Sequence, residues 1–415
     1  MKRRVVVTGI GAVSPNGIGT EAFWAASRKG VSGVRRITRF DPCGFAVQVA
    51  GEVVGLDEFQ YVEPRERQHV SRVVPLGAAA VREAMEDAGV DAHSMSREEL
   101  RQIGVIVGSG GGSLEFTEEQ YRLYYSGKQK QCSVYVIPTS TIGTLASEIS
   151  MRFGFRGMSH LISTGCTSST DAIGYAYRNI QAGVLDMMVA GGVDAPIAPL
   201  ILRGFILMRI MSTRWNSQPE RASRPFSRDR DGFVIAEGAW FFVMEDLEHA
   251  RARGAHIYGE VAGYGSTCEA YHRVRLEECG EEPARTMMIA MQEGGIAPED
   301  VQYVNYHGTG TELNDRIETR AMKLAFNGYA YKLPGSSLKS LIGHPQGACG
   351  AAGIAATLLA MRDGVVHPTI NVLEPDPQCD LDYIPDVGRR IDIEHAVSNC
   401  IAFGSKNSAL LLRRV

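Results

Sequence analysis

Two series of segments occur twice in this chain, in the same order, and no other feature of the sequence restricts its fold as much. Residues 78–112 (AAAVREAMEDAGVDAHSMSREELRQIGVIVGSGGG) read as a helix, an acidic linker, a Val/Ile strand and a glycine-rich turn, and residues 284–310 (ARTMMIAMQEGGIAPEDVQYVNYHGTG) give the same order. Residues 159–189 then run strand, turn, small-residue helix and apolar strand, and residues 336–371 (SSLKSLIGHPQGACGAAGIAATLLAMRDGVVHPTIN) do the same. Strands alternating with helices argue for an α/β fold, and repetition at this scale argues for a duplicated unit. The halves, 1–250 and 251–415, join near the charged stretch 245–256 (EDLEHARARGAH). A pseudo-twofold axis between them would make Cys166 and His344 equivalent, each where a strand turns into a helix. His307 would match the turn at Gly108–Gly112. Three reactive side chains would then face one central point.

With 415 residues, 44% hydrophobic and 22% charged, the chain can build two such halves around a large core. A net charge of −4 gives no field for nucleic acid. The start, MKRRVVVTGIGAVSPNG, resembles a secretion signal only superficially. Its apolar run is short and broken by Thr8, Gly9 and Gly11, so it reads as a buried first strand and a turn. The apolar stretch 183–211 is interrupted by Asp186, Asp194 and Arg203, so no membrane span is expected. Eight cysteines are scattered without C-x-x-C spacing, which argues against zinc and redox motifs and for free thiols in a reducing, cytoplasmic setting.

The chemistry-bearing residues stand at strand ends. Cys166, in STGCTSST, opens a helix of small and hydroxyl side chains, where the helix dipole and free N–H groups favour a thiolate and can hold an oxyanion. The alternative is a small buried core thiol. His307 sits in VNYHGTGTELND, where an apolar strand meets a Gly-Thr turn, and could equally be a satisfied turn histidine. Lys339 and His344 lie in SSLKSLIGHPQGACGAAG, with a surface lysine and a capping histidine as the plain alternatives. The combination of a nucleophile and two histidines, all at strand ends, suggests acyl-thioester chemistry.

These motifs resemble the β-ketoacyl-acyl carrier protein synthases of the elongating Cys-His-His type. STGC (163–166), HGTGT (307–311) and KSLIGH (339–344) carry the resemblance, with RIMSTRWNSQPERASRPFSRDRDGFVIAEGA (209–239), NDRIET (314–319) and PDPQCDLDYIP (375–385), over essentially the whole chain. The resemblance implies the thiolase fold, two similar halves in a five-layer αβαβα sandwich. It implies that Cys166 takes an acyl group from an acyl carrier protein, and that His307 and His344 promote decarboxylation of a malonyl-carrier and stabilise the enolate. Lys339 would be the family's buried lysine, with Glu318 the acid near it. Thr309 and Thr311 would hold the phosphopantetheine arm, which the carrier brings, so no cofactor or metal is expected. Backbone N–H groups of Cys166 and Phe403 would form the oxyanion hole. TSTIGTLASEI (139–149), with Tyr135 and Val136 reaching across, would form the interface of a dimer, either with itself or with a ketosynthase-like chain-length subunit.

Departures from the family pattern refine these expectations. The last loop, usually FGFGGTN, reads IAFGSKN at 401–407. Phe403 survives at the gate, but Ala402 and Ser405 replace glycines and Ile401 replaces a phenylalanine, which predicts a gate with different timing or substrate preference. Gly111 stands where a bulky tunnel residue is common, which predicts a roomier tunnel unless a neighbour fills the gap. STGCTSS and NDRIET lean towards a type II polyketide or specialised fatty-acid pathway. The alternatives are a housekeeping fatty-acid elongation synthase and a chain-length-setting subunit without chemistry, which the intact Cys166, His307 and His344 argue against. A nucleotide-binding oxidoreductase is a weaker rival, because VTGIGAVSPNGIG lacks G-x-G-x-x-G. Arg65, Arg67 and Arg72, or Lys128 and Lys130, could dock an acidic carrier protein.

Overall fold

The computed structural model describes residues 2–415. Ten strands carry the architecture: β1 (Val5–Ser14), β2 (Ile103–Gly108), β3 (Ser159–Ile162), β4 (Met187–Asp194) and β5 (Gly238–Asp246) in the first half, and β6 (Gly259–Cys268), β7 (Tyr303–Asn305), β8 (Gly335–Ser336), β9 (His395–Ala402) and β10 (Lys406–Arg413) in the second. Their spatial order is β3-β2-β4-β5-β1 followed by β6-β10-β9-β7-β8. Each half therefore has the strand order 3-2-4-5-1 read from its outer edge. In both, the second strand runs parallel to its two neighbours and the remaining pairings are antiparallel. The halves meet where β1 pairs antiparallel with β6.

Helices fill the layers according to their polarity. α1 (Val73–Asp87) and α3 (Thr144–Phe153) cover the outer face of the first half, packing Leu76, Ala80, Ala84, Leu145 and Ile149 on Val105, Val189 and Phe241. α5 (Glu281–Gly294) and α6 (Glu312–Phe326) cover the second half through Met287, Met291, Met322 and Phe326. α4 (Ser168–Gln181) and α7 (Cys349–Asp363) lie between the two halves of the sheet, and their Ala172, Ile173, Ala176, Ala352, Ala355 and Leu359 share one core with strands of both halves. The result is the expected five-layer αβαβα sandwich of the thiolase fold. α2 (Leu114–Tyr125) stands outside these layers with Tyr121, Tyr124 and Tyr125 exposed.

A helix in the central layer has protein on all sides, so its residues must be small. All residues from Cys349 to Met361 are buried, and a Cβ at Gly350 would stand 2.0 Å from Thr170 Oγ1. The glycines of β1 serve the same purpose on the outer face. A Cβ at Gly11 would meet the Ala80 carbonyl at 1.8 Å, so this stretch packs strand against helix rather than cradling a phosphate.

Two details differ from the repeat read in the sequence. α4 begins directly after a 3₁₀ turn at Gly165–Thr167, and α7 after one at Gln346–Ala348. Gly347, not His344, is thus the counterpart of Cys166; His344 enters three residues earlier, from the loop after the short helix Lys339–Ile342. The apolar stretch after α7 is also not the counterpart of β4. Val365–Val366 pairs only with Arg389–Arg390 in a separate two-stranded ribbon, and β9 takes the β4 position after a long excursion.

Candidate active site

Cys166 occupies the turn between β3 and α4, at 7% exposure. Hydroxyls brace this turn. Ser168 Oγ donates to the Gly165 carbonyl at 2.6 Å and accepts the Thr164 N–H at 3.0 Å, and Thr167 Oγ1 donates to the Thr164 carbonyl at 3.0 Å. The small, hydroxyl-rich run therefore both slims the helix and fixes the bend that presents the thiol. Burial pushes the Cys166 pKa up, with the neighbouring Cys349 adding to the rise and the Lys339 charge opposing it. The Phe403 N–H faces the sulfur.

His307 follows β7, and its loop is held by two acids of α6 one turn apart. Glu318 accepts the N–H groups of His307 at 2.6 Å and Gly308 at 2.7 Å, with the Asn399 amide at 2.7 Å. Asp315 accepts those of Thr309 at 3.1 Å and Gly310 at 3.2 Å. Arg230 reaches Asp315 at 3.4 Å and Asp376 at 2.6 Å, so the RDRDGF, NDRIET and PDPQ segments are parts of one scaffold. Burial lifts the Glu318 carboxyl to about 7 against its three donors. Glu318 forms no ion pair with Lys339 among the described residues; it supports the backbone at His307 instead.

Lys339 Nζ donates to the His307 carbonyl at 2.5 Å and stands 3.4 Å from His307 Nδ1. An ammonium can only donate, so Nδ1 faces it as an acceptor and Nε2 carries the proton. Burial, then the Lys339 charge, lowers the His307 pKa to about 3. His344 is likewise shifted down by burial, and its Nδ1 has no partner among the described residues. The two imidazoles meet edge to face, centroids 5.4 Å apart, and Phe233 stacks edgewise on His344 at 5.4 Å. Cys166 Sγ and one ring nitrogen from each histidine lie within 4.8 Å of one another. All three are buried.

A cavity of about 290 Å³ ends at these side chains. Thr309 and Thr311 line it, with their hydroxyls 2.9 Å apart, as do Ala402 and Phe403. Ala402 ends β9, so alanine there is no obstacle to the backbone. Ser405 is different: its φ of +64° lies in the left-handed region that its side chain disfavours. Its hydroxyl donates to the His272 carbonyl at 2.9 Å and accepts the N–H groups of Tyr271 and His272 at 3.3 and 3.2 Å. The gate loop is thereby latched to residues 269–273, an arrangement that the glycine-for-serine reading did not anticipate.

Other expected residues fall elsewhere. Gly111 does not line the cavity, and a Cβ there would meet Leu114 Cδ1 at 3.3 Å, so a neighbour fills the gap. Tyr135 and Val136, expected to reach across to a partner's tunnel, do not line this chain's own cavity; Tyr135 lines a separate groove of about 840 Å³ with Val134 and Met151. Arg72 is buried and bound to Glu58 and Glu237, and Arg67 pairs with Glu58 at 2.6 Å, so the first basic patch is largely neutralised. Lys128 and Lys130 are exposed and have no salt bridge among the described residues. His307 also approaches Cys349 and Cys400 within 4.8 Å. These sets could ligate a metal by type, but the Lys339 ammonium beside the shared imidazole opposes a cation there.

Sequence reasoning missed Asp194 as a site residue. Its buried carboxylate ends β4 and accepts Ser109 Oγ at 2.8 Å and the N–H groups of Gly110, Gly111 and Gly347 at 2.8, 3.0 and 2.6 Å. It pins the glycine turn of one half to the α7 turn of the other, directly behind Cys166. Only an acid at the end of an apolar strand (AGGVDAP) signalled it. Exposed Arg209, Arg273 and Arg275 near the cavity were also missed; Arg275 lines it.

A nucleophilic thiol at a helix start, two neutral imidazoles and a narrow apolar cavity define a thioester-handling acyltransferase. Residues 2–250 match the family described as "Beta-ketoacyl synthase, N-terminal domain" and residues 258–373 the corresponding "C-terminal domain". The chain is 38% identical over 413 residues to 3-oxoacyl-[acyl-carrier-protein] synthase 2 of Synechocystis sp. (100% of this chain, 98% of that protein), and 41% identical over 419 residues to "Putative polyketide beta-ketoacyl synthase 1" of Streptomyces cyaneus (99% and 98%). Two solved structures superpose over the full length of both chains: a type II polyketide ketosynthase in complex with its acyl-carrier protein and bound to the hexaketide (TM-score 0.90, 33% identity), and the ishigamide ketosynthase/chain length factor (0.91, 31%). The chain belongs to the beta-ketoacyl synthase family. It is a β-ketoacyl-acyl carrier protein synthase, an acyltransferase that joins acyl and malonyl units.

Proposed function

We propose that this enzyme extends a carrier-bound acyl chain by decarboxylative condensation at Cys166, in a type II polyketide or specialised fatty-acid pathway. The observation that carries the residue roles is the convergence of the Cys166 thiol and both imidazoles at the blind end of the cavity. The acyl thioester enters past Phe403. The Cys166 sulfur attacks its carbonyl carbon, and the N–H groups of Cys166 and Phe403 hold the oxyanion. The carrier thiol leaves and the acyl group stays on sulfur. A malonyl-carrier follows, its pantetheine arm against Thr309 and Thr311. His307 Nε2–H and neutral His344 donate to its thioester oxygen, so charge gathers there as carbon dioxide departs. The resulting carbanion attacks the acyl-Cys166 carbonyl; a C–C bond forms, the C–S bond breaks and the thiol is restored.

Arg209, Arg273 and Arg275 are proposed to dock the acidic carrier at the cavity mouth, with Lys128 and Lys130 further out. Phosphopantetheine arrives on the carrier, and the chemistry assigned to these residues calls on no resident cofactor. The repeated strand order supports a division into halves at 1–250 and 251–415. No helix among the described residues is long and apolar enough to cross a membrane, and a cytoplasmic setting is part of the proposal. So is a dimer, with a second copy or a related chain. The 41% identity to a polyketide enzyme and the likeness to two polyketide ketosynthases support the specialised pathway.

Intact-mass measurement after mixing with a panel of acyl-carrier proteins tests this reading. One acyl adduct per chain on Cys166, absent from Cys166→Ala, is expected. No adduct from any acyl-carrier would overturn it.

A further inference from the structure

Two more thiols lie directly behind the nucleophile, and the mechanism uses neither. Cys349 opens α7 and Cys400 sits within β9, 51 residues away in sequence, yet their Sγ atoms are 3.7 Å apart. The fold, not sequence spacing, brings them together. Both Sγ atoms approach the Cys166 carbonyl oxygen, at 3.3 and 3.1 Å, and Cys400 Sγ lies 3.4 Å from His307 Nδ1. With Cys166 and Ala402 they form a small buried cluster. We propose that Cys349 and Cys400 are a peroxide-oxidisable dithiol whose disulfide reversibly shuts down condensation.

Three observations support this. The sulfurs are already in contact, and closing to a bond of about 2.05 Å needs a combined shift of about 1.7 Å. The pair lies one residue layer beyond the solvent-connected cavity: His307, its neighbour, lines that cavity, as do Ile401 and Ala402, which follow Cys400. A two-oxygen molecule is small enough to enter that cavity, whereas a protein reductant or bulky oxidant is not. The two thiols are also unlike. Burial raises both, but the Cys400 S–H and the Lys339 charge more than offset it at Cys349, which falls well below an ordinary thiol, while Cys400 stays above. One partner is poised as thiolate and the other as thiol.

The chemistry balances with peroxide as the oxidant. The Cys349 thiolate attacks the O–O bond, giving a sulfenic acid and hydroxide. The hydroxide takes the Cys400 proton, and the Cys400 sulfur then displaces the sulfenic oxygen as a second hydroxide, which is protonated to water. Two thiols lose two electrons, and peroxide becomes two waters. The product has lost the Cys400 S–H, the one proton the pair holds, and the contraction drags the start of α7 towards β9 beneath the nucleophile.

Cys166 is itself oxidisable, so the test shields it. The enzyme is first loaded with an acyl group on Cys166, which rests on the proposed function and is checked separately by mass. It is then exposed to hydrogen peroxide, denatured in N-ethylmaleimide and mapped as peptides. In parallel, single-turnover condensation with malonyl-carrier is measured before and after dithiothreitol. The expected result is a loss of two alkylatable thiols, one cross-linked peptide joining residues 349 and 400, and at least a tenfold loss of condensation that dithiothreitol restores. Cys349→Ala, or Cys349→Ser if the alanine variant folds poorly, should form no cross-link and keep its turnover within about threefold at the same dose. An unchanged thiol count, a cross-link to any other cysteine, or equal reversible inactivation of the variant would overturn the proposal.

Discussion

Cys166 must be a nucleophile, yet burial raises its pKa, while both histidines that face it are shifted down and stay neutral. The shifts separate the two half-reactions by pH. The thiolate fraction grows about tenfold per pH unit below the thiol pKa, so acylation of wild-type enzyme should climb steadily between about pH 6 and 8.5. Decarboxylation needs neutral imidazoles, and burial shifts both in that direction, His307 to about 3. Malonyl-carrier decarboxylation by Cys166→Ala should therefore be flat with pH; a rise parallel to acylation would contradict the assigned roles. Asp194 makes a second prediction. Four donors converge on its carboxylate, so Asp194→Asn turns two acceptor positions into an N–H pair facing donors and should cost about 3 kcal/mol in chemical denaturation. Burial raises Asp194 to about 6, so the folded state binds more protons than the unfolded state between about pH 4 and 6. Its contribution is complete below the ordinary carboxylate range and is lost as pH rises through about 6. That slope in stability should be missing from the variant.

The gate loop shows how one side chain can set the behaviour of an element. Ser405 holds a left-handed backbone that costs about 1 kcal/mol and offsets it with three hydrogen bonds to residues 271–272. Ser405→Gly removes the bonds and the strain together, whereas Ser405→Ala removes only the bonds. Alanine should thus be less stable than glycine by about 1 kcal/mol. Both should speed amide exchange in residues 402–406 and 269–273, and both should raise the acylation rate if opening limits it. Unchanged exchange in both variants would mean that the latch does not hold the gate. This device was only half legible. The substitution of a family glycine was visible, and a gate with different timing or substrate preference was expected from lost flexibility, but the partner loop 269–273 is far away in sequence. At Gly111 the sequence left two readings open for a related reason, since whether Leu114 fills the place of a missing side chain is decided by packing. Cys166 and His307, which follow strands, were legible because each stands at a change of periodicity that the sequence displays directly; Lys339 and His344, at the start of a short helix and in the loop after it, were legible through the KSLIGH run. Asp194 and the Cys349–Cys400 pair were not, because backbone donors and sulfur contacts leave no pattern in a single sequence.

At the scale of the molecule, the repeated helix–strand series foretold two halves facing each other, and the matched strand orders agree with it. The exact register did not follow, because the loop carrying His344 is longer than the turn carrying Cys166. What the repeat leaves open is the outer edge of each half. β3 pairs with β2 on one side only. The Val105 N–H donates to the Met158 carbonyl and the Ser109 N–H to that of Ile162. In a parallel ladder alternate residues point inward, so the backbone groups of Ser159 and Leu161 point to the open edge. On α3, which packs against β3, Met151 is exposed at 67%, and Val134, which shares a groove with it, at 79%, apolar surface that favours a protein partner. An antiparallel pairing of β3 with its copy, or with the equivalent strand of a related subunit, would satisfy the edge and cover these side chains. Leu161→Pro removes one outward N–H without touching the bonds to β2, so the fold should survive while association weakens. Sedimentation at micromolar concentration should show wild-type protein as a dimer and the variant shifted at least tenfold towards monomer. A wild-type monomer that takes up no ketosynthase-like partner, or a variant that dimerises as tightly, would place the interface elsewhere.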